Sequence, residues 1–185
     1  TDDVEVVVKA IPAANAGEDV IICSGSSTTL TAIGGSSYLW NTGETTQSIE
    51  VSPDTTTSYS VEVFQNECSD TDLVAVLVNT MPTANAGDDV EICKGSTVTL
   101  TATGGDSYLW DTGETTQSIE VSPDTTASYS VEVFQNECSD IDEVAVLVNT
   151  IPTANAGDDV EICKGSTVTL TATGGDNYLW DTGET

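Results

Sequence analysis

The strongest constraint on this chain is its own period. Residues 81–150 form a unit of seventy residues, and residues 11–80 repeat it with thirteen differences. Residues 151–185 repeat its first half, departing from 81–115 only at Ile151 and Asn177. Residues 1–10 resemble Ile141–Thr150, the end of the unit. Such a chain is an array. It divides into the last strand of a preceding repeat (1–10), two complete repeats (11–80 and 81–150) and the first half of a further one (151–185), and it reads as a window from a longer series. A seventy-residue unit buries a modest core, so neighbouring units or crosslinks are expected to help hold it.

The second copy shows what each unit is. Val90-Glu91-Ile92-Cys93 alternates and meets a turn at Lys94-Gly95; Val98, Leu100 and Ala102 share a face before Gly104-Gly105. Tyr108 and Trp110 point inward on a third strand, closed by Asp111-Thr112-Gly113. Ile119 and Val121, then Tyr129, Val131 and Val133, and finally Val144, Val146 and Val148 repeat the pattern, with turns at Pro123-Asp124 and Asn136-Glu137. Six short strands, or seven if Ala84-Asn85 also pairs, with period two and regular turn signals describe an all-β sandwich. No stretch carries a helical period of apolar residues.

Particular residues carry a family resemblance. They are Asn85-Ala86-Gly87-Asp88-Asp89, Cys93 with Gly95, Tyr108 with Trp110 and Gly113, Thr115 to Ile119, Tyr129 with Val131, and Cys138-Ser139-Asp140. The unit resembles the immunoglobulin-like or PKD-like tandem repeats of giant secreted surface proteins in the Bacteroidota, including gliding-motility adhesins and type IX secretion substrates. The resemblance implies immunoglobulin-like sandwiches of seventy residues arranged as a linear rod. Trp40 and Trp110 take the place of the core Trp, and Tyr59 and Tyr129 that of the tyrosine corner. The positions of the usual inter-sheet disulfide fall at Ala32 and Val61, and at Ala102 and Val131, so the buried Trp must hold the sheets together.

Charge excludes several partners. Thirty-one acidic residues face three lysines, with no Arg and no His, for a net charge of −28. Nucleic acid and anionic membrane surfaces need basic residues to displace counterions. No apolar run approaches the twenty or so residues of a membrane helix. Without His there is no His-based triad, and the carboxylate pairs sit on turns with no apolar pocket to raise a pKa, so no enzyme is expected.

The cysteines, at 23, 68, 93, 138 and 163, alternate separations of 45 and 25. Single spacing makes poor zinc sites. A secreted array favours disulfides. Cys93 closes a strand where the chain leaves the sandwich, whereas Cys138 lies on a hairpin where it enters. A strand of eight to ten residues is about 25–30 Å long, and a disulfide needs Cα atoms within about 7 Å. Geometry therefore favours an inter-repeat bond, Cys23–Cys138, with Cys68, Cys93 and Cys163 waiting for partners outside the window. Bonds within each copy, Cys23–Cys68 and Cys93–Cys138, are the alternative.

Three further groups are candidates. Asp88 and Asp89 with Asp140 and Asp142 lie at one end of the unit and could supply oxygen ligands to Ca²⁺, against a reading as solvated turn residues; no cofactor is otherwise required. Asp54-Thr55-Thr56 and Asp124-Thr125-Thr126 resemble the O-glycosylation acceptor of the same phylum, which makes Thr55 and Thr125 candidates. Leu39, Phe64 and Leu77, matched by Leu109, Phe134 and Leu147, point away from the core and could form a stripe for lateral self-association into a fibre. The function expected is the stiff stalk of an extracellular filament or cell-surface adhesin. The competing expectation is a multivalent carbohydrate- or protein-binding module using repeated loop tips.

Overall fold

The computed structural model describes residues 2–184. Twelve strands form two like sets of six, and no helix occurs among the described residues. In the first set these are β1 (Val20–Cys23), β2 (Thr28–Thr31), β3 (Ser37–Trp40), β4 (Ser48–Val51), β5 (Thr57–Gln65) and β6 (Cys68–Asn79). The second set is β7 (Val90–Cys93), β8 (Val98–Thr101), β9 (Ser107–Trp110), β10 (Ser118–Val121), β11 (Ala127–Gln135) and β12 (Cys138–Asn149).

Each set makes two sheets. One has the order β1-β6-β5-β3, repeated as β7-β12-β11-β9; the other is the pair β2-β4, repeated as β8-β10. All pairings are antiparallel except β1 with β6 and β7 with β12. The lead-in segment adds one bridge to the smaller sheet, Asn15 to Ile33 and Asn85 to Thr103. This is an immunoglobulin-like arrangement: the chain enters along the smaller sheet, crosses to the larger one, and runs parallel to the last strand.

Local chemistry sets that entry. Asn15 Oδ1 accepts the Gly17 N–H at 2.8 Å, and Asn85 does the same for Gly87 at 2.7 Å, a side-chain turn that Asn favours. Where the lead-in passes the next turn there is no space for a side chain. A Cβ on Gly34 would overlap the Ala13 carbonyl, and one on Gly104 the Thr83 carbonyl, with φ at +114° and +111°. Only glycine satisfies both demands.

The core follows the period-two pattern. Trp40 packs with Leu30, Ile49, Tyr59, Val61, Val63, Val74 and Val76, and Trp110 with the equivalent set. Ala32 and Val61 are fully buried, as are Ala102 and Val131, so the disulfide positions of the fold are filled by small apolar side chains. Each indole N–H donates to a carbonyl, Thr46 or Thr116, at 3.0 Å, so burial leaves no unmet donor. Gln47 and Gln117 reach back to the carbonyls of Ala32 and Ala102 at 3.0 and 3.1 Å.

Candidate functional site

The site that distinguishes this molecule from two separate sandwiches is the junction between them. Strand β1 runs parallel to β6 with Cys23 opposite Asn79, the last residue of that strand. Cys23 is therefore at the exit end of its block. Cys138 opens β12, whose other end pairs Asn149 with Cys93. Eleven steps of extended strand separate Cys138 from that end, about 36 Å. A bond within the block is thus out of reach, whereas the exit of the first block meets the entry hairpin of the second. The structure joins Cys23 to Cys138, with Cα atoms 5.7 Å apart. Cys68, Cys93 and Cys163 carry no disulfide here, so the alternative pairs Cys23–Cys68 and Cys93–Cys138 do not form.

Two features beside the bond were not legible beforehand. Asn79 Nδ2 donates to the Asn136 carbonyl at 2.7 Å, tying the end of β6 to the hairpin tip of the next block. Lys9, which occupies the repeat-equivalent place of Asn79, pairs with Glu67 on the first block's own hairpin tip. The same strand-end position meets the hairpin tip in both places, once through an amide to Asn136 and once through charge to Glu67. The hairpin is a two-residue turn with both residues left-handed, Asn136 at φ 49° and Glu137 at φ 68°, as a type I′ turn requires. Docking accompanies deeper burial: Cys138 is 1% exposed, while Cys68, with no block against it among the described residues, is half-buried.

Three of the four acidic candidates accept hydrogen bonds from backbone amides. Asp140 Oδ2 accepts the Ala84 N–H at 2.9 Å, Asp142 Oδ2 the Ala86 N–H at 2.8 Å, and Asp89 Oδ1 the Ala145 N–H at 2.9 Å. Asp70, Asp72 and Asp19 do the same in the first block. These bonds strap the lead-in segment to the last strand. The Ala16 N–H holds the Asp72 carboxyl below the usual carboxylate range, helped by the Leu73 N–H and opposed by burial. Asp88 is exposed. Among the described residues no group of three or more His, Cys, Asp or Glu is placed to hold a metal.

Thr55 and Thr125 are exposed on the turn before β5 and β11. Leu39 and Leu109 are 41% exposed, Leu77 and Leu147 36%, and Phe64 and Phe134 half-buried, all on the outer face of the larger sheet. They do not merge into one patch. Glu62 lies opposite Leu39. Phe64 pairs with Ser69, eight residues along β6 from Leu77, about 26 Å at the rise of a strand. Tyr59 is buried and Tyr129 half-buried. In the two complete blocks the tyrosine hydroxyls that donate to nearby backbone are Tyr38 to Gly35 and Tyr108 to Gly105, at 3.1 and 3.0 Å.

No protein-family model matches the chain, and no curated protein resembles it in sequence. Solved structures of similar fold include extracellular domains 3–5 of Drosophila OTK, at 12% identity and a TM-score of 0.45, covering 76% of this chain and 60% of that one. A three-domain I-band fragment of titin follows at 14% and 0.42, covering 90% and 77%. The insect immune protein hemolin is similar at 15% and 0.40, covering 77% and 48%. The chain thus spans 60% of the OTK fragment's length. The assignment of immunoglobulin-like sandwiches rests on the strand order itself.

Proposed function

We propose that this chain is repeat stalk of an extracellular filament or cell-surface adhesin, in which each disulfide staples one block to the next. The observation that carries the reading is the bond from Cys23, at the exit of one block, to Cys138, at the entry of its neighbour. Two attachments at one junction, the backbone at Thr80-Met81 and the disulfide, leave far less hinge freedom than a backbone linker alone. The Asn79 to Asn136 bond adds a third contact.

Other features agree. A disulfide between units belongs to an oxidising compartment, which supports a location outside the cytosol. A charge of −28 makes successive blocks repel, favouring an extended array over a folded-back one. The test is direct imaging. Oxidised protein should show a narrow distribution of angles between the two complete blocks in electron micrographs, broadening on reduction. A broad distribution in the oxidised state would remove the stalk reading.

A further inference from the structure

We infer that the single disulfide takes both parallel-strand clamps out of the tensile path: load enters along β1, crosses from Cys23 to Cys138 and leaves along β12. The inference deepens the stalk reading, since tension is what it presupposes.

Consider first a block without the bond. The chain enters along the lead-in and β7, and leaves at the end of β12. These strands are parallel, in register from Val146↔Val90 to Asn149↔Cys93. Pulling the two chain ends apart slides β7 against β12, so their few ladder bonds and the Lys94 N–H to Asn149 carbonyl bond at 2.9 Å resist together. The first block has the same device in β1 and β6, where the Ser24 N–H donates to the Asn79 carbonyl at 2.8 Å. Each clamp is four residues long. Once it slips, a seventy-residue unit can pay out.

The bond changes the route. Cys23 is the last residue of β1, and Cys138 the first of β12. Tension arriving along β1 passes to the second block before it must cross to β6. In the second block it starts at the head of β12, so it never crosses from β7. Covalent structure bears the load where hydrogen bonds would otherwise, and a hydrogen bond exchanged with water is far weaker than a covalent one. The sequence separation of 115 encloses residues 24–137. Those residues include both core tryptophans and ten of the twelve strands, and none can extend while the bond stands. At full stretch, about 3.3–3.6 Å per residue, the withheld length is roughly 380–410 Å.

The arrangement repeats in kind. Cys93 ends β7 opposite Asn149, the place that Cys23 holds in the first block, and Cys68 opens β6 as Cys138 opens β12. Any further copy joined in the same way would lengthen the bypass.

The experiment is single-molecule pulling of the whole chain by its ends, with Cys68, Cys93 and Cys163 replaced by Ser so that only the inter-block bond can form. Oxidised molecules are expected to lose the two unfolding steps of the complete blocks. The same molecules after reduction, or carrying Cys23→Ser as well, should show both steps, each releasing roughly 230–250 Å. Identical traces in the two redox states would overturn the inference, as would peptide mapping that pairs Cys23 with anything but Cys138. Because the variants differ only at cysteines, reducing an already folded molecule separates a folding defect from a loss of bypass. A flexible array in micrographs would sink the stalk reading while leaving the pulling result intact.

Discussion

Residues 81–115 and 151–185 differ at two positions, yet residues 151–184 take a different state from their counterparts. In the complete block Leu100 is 3% exposed and Trp110 is buried; in the half unit Leu170 is 51% exposed and Val160 and Ile162 each 54%. No strand is assigned between 151 and 184. The local chemistry is nevertheless intact. Asn155 still caps Gly157 at 2.7 Å, Asn155 bridges Thr173, and the Trp180 N–H still donates to the Glu184 carbonyl at 3.0 Å.

The topology explains the contrast. Strands β7, β8 and β9 do not pair with one another. Each pairs with a strand from the second half of the unit: β12, β10 and β11 respectively. Turns form from neighbours in sequence, but every ladder and the whole core wait for residues 116–150. A fold so dominated by distant pairings is cooperative within the unit.

This contrast can be sharpened first by completing the half unit. Appending a copy of residues 116–150 after Thr185 should bury Trp180 and create six new strands. A blue shift in Trp fluorescence and slowed amide exchange over 160–180 would record it; exchange as fast as before would break the comparison. Next in size is Trp110→Ala, which removes the largest side chain shared between the two sheets. A loss of about 3–5 kcal/mol is expected for the second block, measured by denaturant titration. The first block, with its own core around Trp40, should keep its midpoint.

A smaller effect concerns the straps that the half unit lacks. Asp72 accepts the Ala16 N–H at 2.9 Å, and its folded pKa lies below the ordinary value. A depressed carboxylate pKa adds stability that is present above the unfolded value, near pH 4, and is lost as pH falls through the folded value. Thermal midpoints should therefore drop in acid below about pH 4, and Asp72→Asn should flatten that drop while costing about 1 kcal/mol at pH 7. An acid limb unchanged in the variant would show that Asp72 is not its source. The smallest expected effect is at the hairpin tip. Glu137 holds φ at 68°, where glycine is at ease, so Glu137→Gly should stabilise the second block by about 0.5–1 kcal/mol. A destabilised variant would mean that the Glu137 side chain matters more to the junction than its backbone.

Much of this was legible in the residues themselves. The inward set of Trp110, Ile119, Val131, Val133, Val144 and Val146 follows from period two alone, and the buried cluster has those members. The hairpin at Asn136-Glu137 and the turn at Lys94-Gly95 follow from local turn chemistry. The aspartates were harder to place. Asp140 and Asp142 alternate like a solvated or metal-binding pair, and nothing local says that backbone amides 56 residues away will reach them. The outward leucines likewise repeat faithfully in sequence, but only the sheet register puts Glu62 opposite Leu39 and distances Phe64 from Leu77.

By itself, then, the sequence determined the unit, its length, its strands, its inward faces and its turns, because each depends on side-chain alternation or on contacts a few residues apart. Tertiary structure decided which strand pairs with which, where the carboxylates find their donors, and that Cys23 lies against Cys138. Those outcomes depend on which ends of extended strands meet in space: the carboxylates find their donors 56 residues away, and the two cysteines are 115 residues apart.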